Sequence, residues 1–545
     1  MISMLGKKTC LLAVICLLLV SVPATGGCGR KPGAGPGLPE QNREPGQLQP
    51  LPEKTSEIAG VKITAGGGAV LNGFIHLASF APDKGMIDYA QPGAFFSPDG
   101  RWIAFSAVQN SKMQGLWALA LDGSSGKLLV QVEEKERSAG TLILRLLGWT
   151  PDNRVVFTRQ GTQPDGTHQG KRGISIRVAA PEQGEAQEAA WLPVPTGMVH
   201  QVEFLPAQGK VFVHVTGALW AIDLDRGEKK LLRDKLPSYD GLFSPRLSPT
   251  GDYYVYELFE PHNKGIYLLN TGDGKEKALA PAGETWNFLP RFSPDGRYLA
   301  YYTAPLKAGK SARDAQAYYY AGDYDILPAE DGPAPVAAGV EIVNPDGNFF
   351  ASYAVPRAPG AKIVNFQWSE DGRHLAFAAG KIKAGFGENG EIWETADAIE
   401  WQSLWVADFP GKPAKVADLP TDPGAYVQIV KIGPDGKQVH YLVSKQDKSS
   451  LWLAREGSTP VEIKSGAPGS LNFPYPVPVY GEDIFLCRSD NSNESEIFRI
   501  YGTQAAPVTA GGGWKDLLGV SGKRLVYIRQ DRAGDESQLV VLSCQ

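Results

Sequence analysis

A chain of 545 residues with 43% hydrophobic and 21% charged residues has a globular composition, and its length suits two or more domains or one repeat-built domain. Its net charge of −5, with no basic stripe carrying interleaved aromatics, excludes a dedicated nucleic-acid binder, which needs a positive footprint. The 63 glycines and 41 prolines are spread along the chain, as expected of many short strands joined by tight turns.

Residues 1–27 read as a targeting segment. Lys7 and Lys8 precede the apolar run "CLLAVICLLLVSV", which is too short for a comfortable membrane span. The run ends at "ATGGC", with small residues just before Cys28. This resembles a bacterial lipoprotein signal, which implies lipidation of Cys28 and attachment through the lipid anchor alone. The anchor would sit on the outer face of the cytoplasmic membrane or in the outer membrane. Thr25 departs from the leucine usual in that motif, and the alternative is an ordinary secretory signal that leaves Cys28 an incidental thiol. Residues 28–58 are rich in Pro, Gly and polar side chains with almost nothing to bury, and read as a disordered tether spanning roughly 30 Å. Beyond the tether only Cys487 and Cys544 remain, either paired or as buried thiols; no spacing matches a zinc or redox motif, and no cofactor is expected.

From about residue 59 to 545 a turn repeats: Ser97-Pro98-Asp99-Gly100, Thr150-Pro151-Asp152-Asn153, Ser248-Pro249-Thr250-Gly251 and Ser293-Pro294-Asp295-Gly296. It returns as Ser369-Glu370-Asp371-Gly372 and Gly433-Pro434-Asp435-Gly436, with weaker versions near residues 206, 481 and 522. Proline presets φ, Asp bonds the local backbone, and Gly accepts a left-handed conformation, so each turn joins two antiparallel strands. A third strand then opens on an aliphatic–aromatic pair, such as Leu116-Trp117, Leu219-Trp220, Ile266-Tyr267, Leu404-Trp405, Leu451-Trp452 or Ile497-Phe498. A polar turn and a short fourth strand complete a unit of roughly 40–60 residues, the signature of a propeller blade.

The S-P-D-G-[RK] turn with its apolar strand and Leu-Trp or Ile-Tyr follower resembles TolB-type propeller repeats over about residues 85–545. Related blades occur in the propeller domains of prolyl-oligopeptidase-type enzymes. The expected fold is all-β: one large propeller of four-stranded antiparallel blades, eight in number within a range of seven to nine. Nine turn units are countable, but one is expected to be a merged or split blade. The runs "VKITAG" and "FIHLASF" are expected to supply a strand that closes the last blade.

Most units place the third-strand aromatic 11–17 residues after the turn, whereas Gly372 to Trp405 is 33 and Gly296 to Glu341 is 45. Two neighbouring units therefore carry long insertions between second and third strands, and a milder one follows Asn153. Such loops lie on the rim opposite the SPDG turns, shared with the inter-blade loops. A candidate binding surface there comprises Trp286, Tyr318, Tyr319, Tyr320, Asp323, Tyr324, Asp325, Trp393, Trp401 and Trp514, because Tyr and Trp combine large apolar area with a polar tip. The alternative is that these aromatics form a local core of the insertions. Asp323 and Asp325, like the acidic run around Asp490, lack calcium-loop spacing and read as solvated turns. There is no G-x-S-x-G elbow and no attached hydrolase segment, and the seven histidines form no ligand pair in sequence. The expected role is a monomeric, lipid-anchored envelope module that binds or scaffolds a protein partner. The alternative is an extracytoplasmic propeller hydrolase or lyase acting on peptide or glycan.

Overall fold

The computed structural model describes residues 50–544 except 69–70, 88–94, 110–112, 134–141, 164–165, 195–198, 216, 235–241, 261–262, 282–284, 306–338, 354–361, 383–398, 420–424, 474–476, 492–493 and 531–535. Cys28 lies outside them. Among the described residues the only helical segments are the single turns Gly166–His168 and Pro206–Gln208.

Each SPDG turn is held by side chains as well as backbone. In the unit at Ser293 the Gly296 N–H donates to the Ser293 carbonyl (2.8 Å) and the Tyr298 N–H to Ser293 Oγ (3.0 Å). Ser293 Oγ itself donates to Asp295 Oδ1 (2.6 Å), which also accepts the Arg297 N–H (3.1 Å). The serine thereby fixes both ends of the turn. Gly296 has φ +72°, and a Cβ there would lie 3.1 Å from Thr250 of the preceding turn. Position and close approach both call for glycine.

Every such turn joins the first and second strands of an antiparallel sheet, and the sheets number nine among the described residues. Blades one to four run from Gly85–Ile87 to Gly126–Glu133, Leu142–Trp149 to Ala186–Pro193, Val199–Leu205 to Lys229–Asp234, and Leu242–Leu247 to Glu276–Pro281. Blades five to eight run from Thr285–Phe292 to Phe349–Tyr353, Lys362–Trp368 to Pro413–Asp418, Tyr426–Ile432 to Val461–Gly466, and Leu471–Asn472 to Gln504–Pro507. The expected eight is thus corrected to nine. The weak units near 206, 481 and 522 each prove to be the first turn of a full blade, made by a shorter hairpin that does without the serine and aspartate.

Blade nine takes three strands from the C-terminal end, Trp514–Ser521, Arg524–Gln530 and Ser537–Cys544, and its fourth, Phe74–Pro82, from the N-terminal side. Phe74 pairs with Cys544 and Phe80 with Leu539. Two further strands, Val61–Ala65 and Lys54–Ile58, extend this sheet outward, so the ordered ladder begins within the stretch read as tether.

Along the second strand of each blade, alternate side chains face opposite neighbours. In "RYLAYYT", Leu299 and Tyr301 pack toward blade four while Ala300 and Tyr302 pack toward blade six. Each of the nine interfaces between successive blades holds its own apolar cluster, including the one that joins blade nine to blade one. The ring is closed by the apolar contact between blade nine and blade one. The third-strand aromatics lie over second-strand rings: Phe105–Trp117 (5.9 Å, 20°), Tyr256–Tyr267 (5.8 Å, 16°) and Phe377–Trp405 (6.4 Å, 9°). At each of these aromatics the fourth strand skips one residue, as where Leu116 faces Val130 but Trp117 faces Leu128. The bulge bends the outer strand.

Candidate functional site

The two long insertions occupy 306–338 and 383–398, between the second and third strands of adjacent blades five and six. Strand direction places both on the rim opposite the SPDG turns. Tyr318, Tyr319, Tyr320, Asp323, Tyr324, Asp325 and Trp393 lie outside the described residues. For Trp286 and Trp401 the strand is described but not the side chain. Trp286 pairs with Ala304 at the mouth of the first insertion, and Trp401 pairs with Gly380 three residues before the second. Trp514 opens the first strand of blade nine, half-buried and paired with Gln530. It shares the rim but stands three blades from the nearer insertion, outside that sector.

Around the central channel, the first strands carry polar side chains, and most have a structural task. In blades five to seven they bridge to the next blade. Arg291 donates to the Phe366 carbonyl (3.0 Å), Asn365 to that of Val427 (2.7 Å), and Lys431 to that of Gly481 (2.9 Å). Lys515 of blade nine is buried but satisfied by the Ser495 and Gly511 carbonyls and by Glu496 Oε1 (3.0 Å).

Blades two to four differ. In blade three, Gln201 and Glu203 lie opposite His214 and Phe212 across the hairpin. Phe212 shares an apolar cluster with Tyr254 of blade four, so this face is turned toward that blade. Glu203 is 5% exposed and accepts a hydrogen bond from Gln201 Nε2. Burial pushes its carboxyl up to about 7, against the opposing pull of Arg246 on blade four, the Leu247 N–H, Gln201 and Arg145 on blade two. His200 and His214 stand with ring centroids 5.0 Å apart, and His214 meets Tyr254 edge-on at 6.4 Å. Burial, with His200 beside it, pushes His214 down to about 4, and burial raises Tyr254 well above its ordinary value. Both His214 nitrogens and the Tyr254 hydroxyl are buried without a hydrogen-bond partner in the protein. Such atoms call for water or a ligand. The cluster joins a carboxyl that exchanges a proton near neutral pH to neutral imidazole and phenol groups. Among the described residues no three His, Cys, Asp or Glu side chains converge as a metal site would require.

Sequence reading missed this histidine pair, although the hairpin symmetry about Pro206–Gln208 carries the signal. A fold-back centred there brings residue 201 opposite 214 and places His200 at the adjoining bulge.

No protein-family model matches the chain, and no curated protein matches it. Among solved structures, a eukaryotic initiation factor aligns at 13% identity over 80% of this chain and 96% of that one, with a TM-score of 0.44. Dipeptidyl peptidase 4 of Porphyromonas gingivalis aligns at 12% over 82% of this chain and 57% of that one (TM-score 0.41). Oligogalacturonate lyase of Vibrio parahaemolyticus aligns at 12% over 75% and 98% (TM-score 0.34). Likenesses this remote transfer no activity to the chain. Strand pairing among the described residues makes the chain a β-propeller of nine blades, each built on four antiparallel strands and the last closed by an N-terminal strand.

Proposed function

We propose that the chain is a lipid-anchored module of the bacterial cell envelope that binds a protein partner through the rim carrying its two insertions. The observation that supports this reading is polarity across the ring. Both insertions belong to adjacent blades on one rim, whereas the chain enters its first strand at the other. Ser56 Oγ donates to the Gly123 carbonyl (2.9 Å), in the turn between the third and fourth strands of blade one, on the SPDG side. An anchor at Cys28 would thus join the ring at the rim opposite the insertions, leaving their rim free for a partner. Long loops on a rigid scaffold are a common place for recognition. The test is in-cell crosslinking with mass spectrometry, with and without deletion of 306–338 and 383–398. A specific partner crosslinked through those loops and lost on their deletion supports the reading. Crosslinks that avoid the loops, or a partner retained after deletion, overturn it.

A second reading, an extracytoplasmic hydrolase or lyase acting on peptide or glycan, is favoured by the Glu203, His200 and His214 cluster beside the channel. It requires turnover in a peptide and glycan substrate screen that disappears in Glu203→Gln. Turnover that survives this substitution removes the cluster from that role.

A further inference from the structure

Five of the nine large apolar side chains that stand exposed among the described residues lie on the SPDG rim. Phe349 and Phe350 open the fourth strand of blade five, Val461 opens that of blade seven, and Tyr501 closes the third strand of blade eight. Phe349 is 62% exposed and Tyr501 59%. In blade six, Phe409 lies in the turn after the third strand, its ring centroid 6.3 Å from that of Phe350. Leu51 comes just before Lys54 on the outermost strand of blade nine, and its carbonyl accepts the Gly67 N–H (2.8 Å). These residues trace an arc from blade five to blade nine along the outer strands, and the arc ends where the chain enters the fold.

We propose that this rim seats on a lipid bilayer, with the arc of apolar side chains at headgroup level. The proposal rests on the reading of Cys28 as a lipid anchor. The stretch from Cys28 to Leu51 would span about 25 Å as a flexible chain, enough to hold the rim near the membrane but not to orient it. Apolar and aromatic side chains spread along one rim supply the orientation, since aromatic rings favour the boundary between headgroups and acyl chains. A protein partner would instead select a gathered, desolvated cluster. The neighbouring charges call for no anionic lipid, because Arg297 is paired with Asp295, Arg373 with Asp371 and Arg499 with Asp483. Seated in this way, the ring holds its insertions on the side away from the bilayer.

The test uses the lipidated protein in phosphatidylcholine vesicles, with a nitroxide attached at one of two exposed positions. Asn348→Cys places it beside Phe349, and Asp447→Cys places it on the insertion rim. Cys487 and Cys544 are buried and stay unlabelled. Mass spectrometry of the N-terminal peptide reports acylation of Cys28 separately. On an acylated chain, the label at 348 is expected to gain access to oxygen and to lose access to a water-soluble nickel chelate at least threefold relative to the label at 447. Adding Phe349→Ser and Tyr501→Ser, both at exposed positions, is expected to restore nickel access at 348 with the melting temperature unchanged. An acylated chain whose two labels are equally open to nickel overturns the seat alone, as does protection that survives both substitutions. Loss of oxygen and nickel together at 348 marks a protein contact and overturns it too. A peptide without acyl mass overturns the anchor and the seat together.

Discussion

Ser293 accepts one backbone N–H and donates to Asp295, and the same arrangement recurs at Ser97 and Ser369. Partial burial works against the Asp295 carboxylate, but Ser293, the Arg297 N–H and the Arg297 guanidinium outweigh it and hold the group below its ordinary 3.8. A depressed carboxyl stabilises the fold above its unfolded value, and that contribution fades as pH falls through the folded one. Asp295→Ala is therefore expected to cost about 1 kcal/mol at pH 7 in urea titration. Below pH 3.8 its gap from the natural protein should close. Glu203 carries the opposite sign. Its folded value, raised from 4.5 to about 7, means the folded state binds the extra proton, so ionisation between those values destabilises it. Relative to Glu203→Gln, the protein should lose roughly 3 kcal/mol between pH 4.5 and 7.5, and a flat difference over that window would refute the buried assignment. Cys487 and Cys544, left open by their sequence context, are both buried free thiols.

At the scale of the strand, the aliphatic–aromatic pair found in six of the nine third strands was legible because it is local and repeated. Its packing was not. The bulge opposite it shifts pairing by one residue in a strand with no distinguishing composition, and only the ladder reveals it. The close fit is visible at Trp117, where a Cβ on Gly115 would fall 2.3 Å from the indole and Nε1 donates to the Ala59 carbonyl (3.2 Å) outside blade nine. Trp117→Ala empties a fully buried site shared by two blades and is expected to cost about 3–5 kcal/mol, read as a lowered midpoint in denaturant. The blade count was misjudged for a related reason. "LPAQG" makes its turn with a short helical segment and a left-handed Gly209, a solution that leaves no SPDG mark. The positions of the insertions followed from spacing alone, whereas the Glu203 cluster draws on three blades whose channel-side residues share no linear pattern.

For the molecule as a whole, closure was readable in outline, since a final unit short of one strand needs a partner and apolar N-terminal runs were at hand. Of the two strands beyond the closing one, Val61–Ala65 lies in a run already read as strand-forming, whereas Lys54–Ile58 was not anticipated; it sits in a polar stretch that pairs only because Val61–Ala65 offers an edge. Those two strands also decide how the ring bears load. A pull applied ahead of Lys54 acts first on the outermost hairpin, which can peel away while the Phe74–Pro82 ladder with Ser537–Cys544 stays intact. Stretched from its N-terminus in an optical trap, the protein is expected to yield once at low force, lengthening by about 70 Å as some twenty residues are released. A second, higher-force event should then open the ring, so the outer hairpin works as a mechanical fuse.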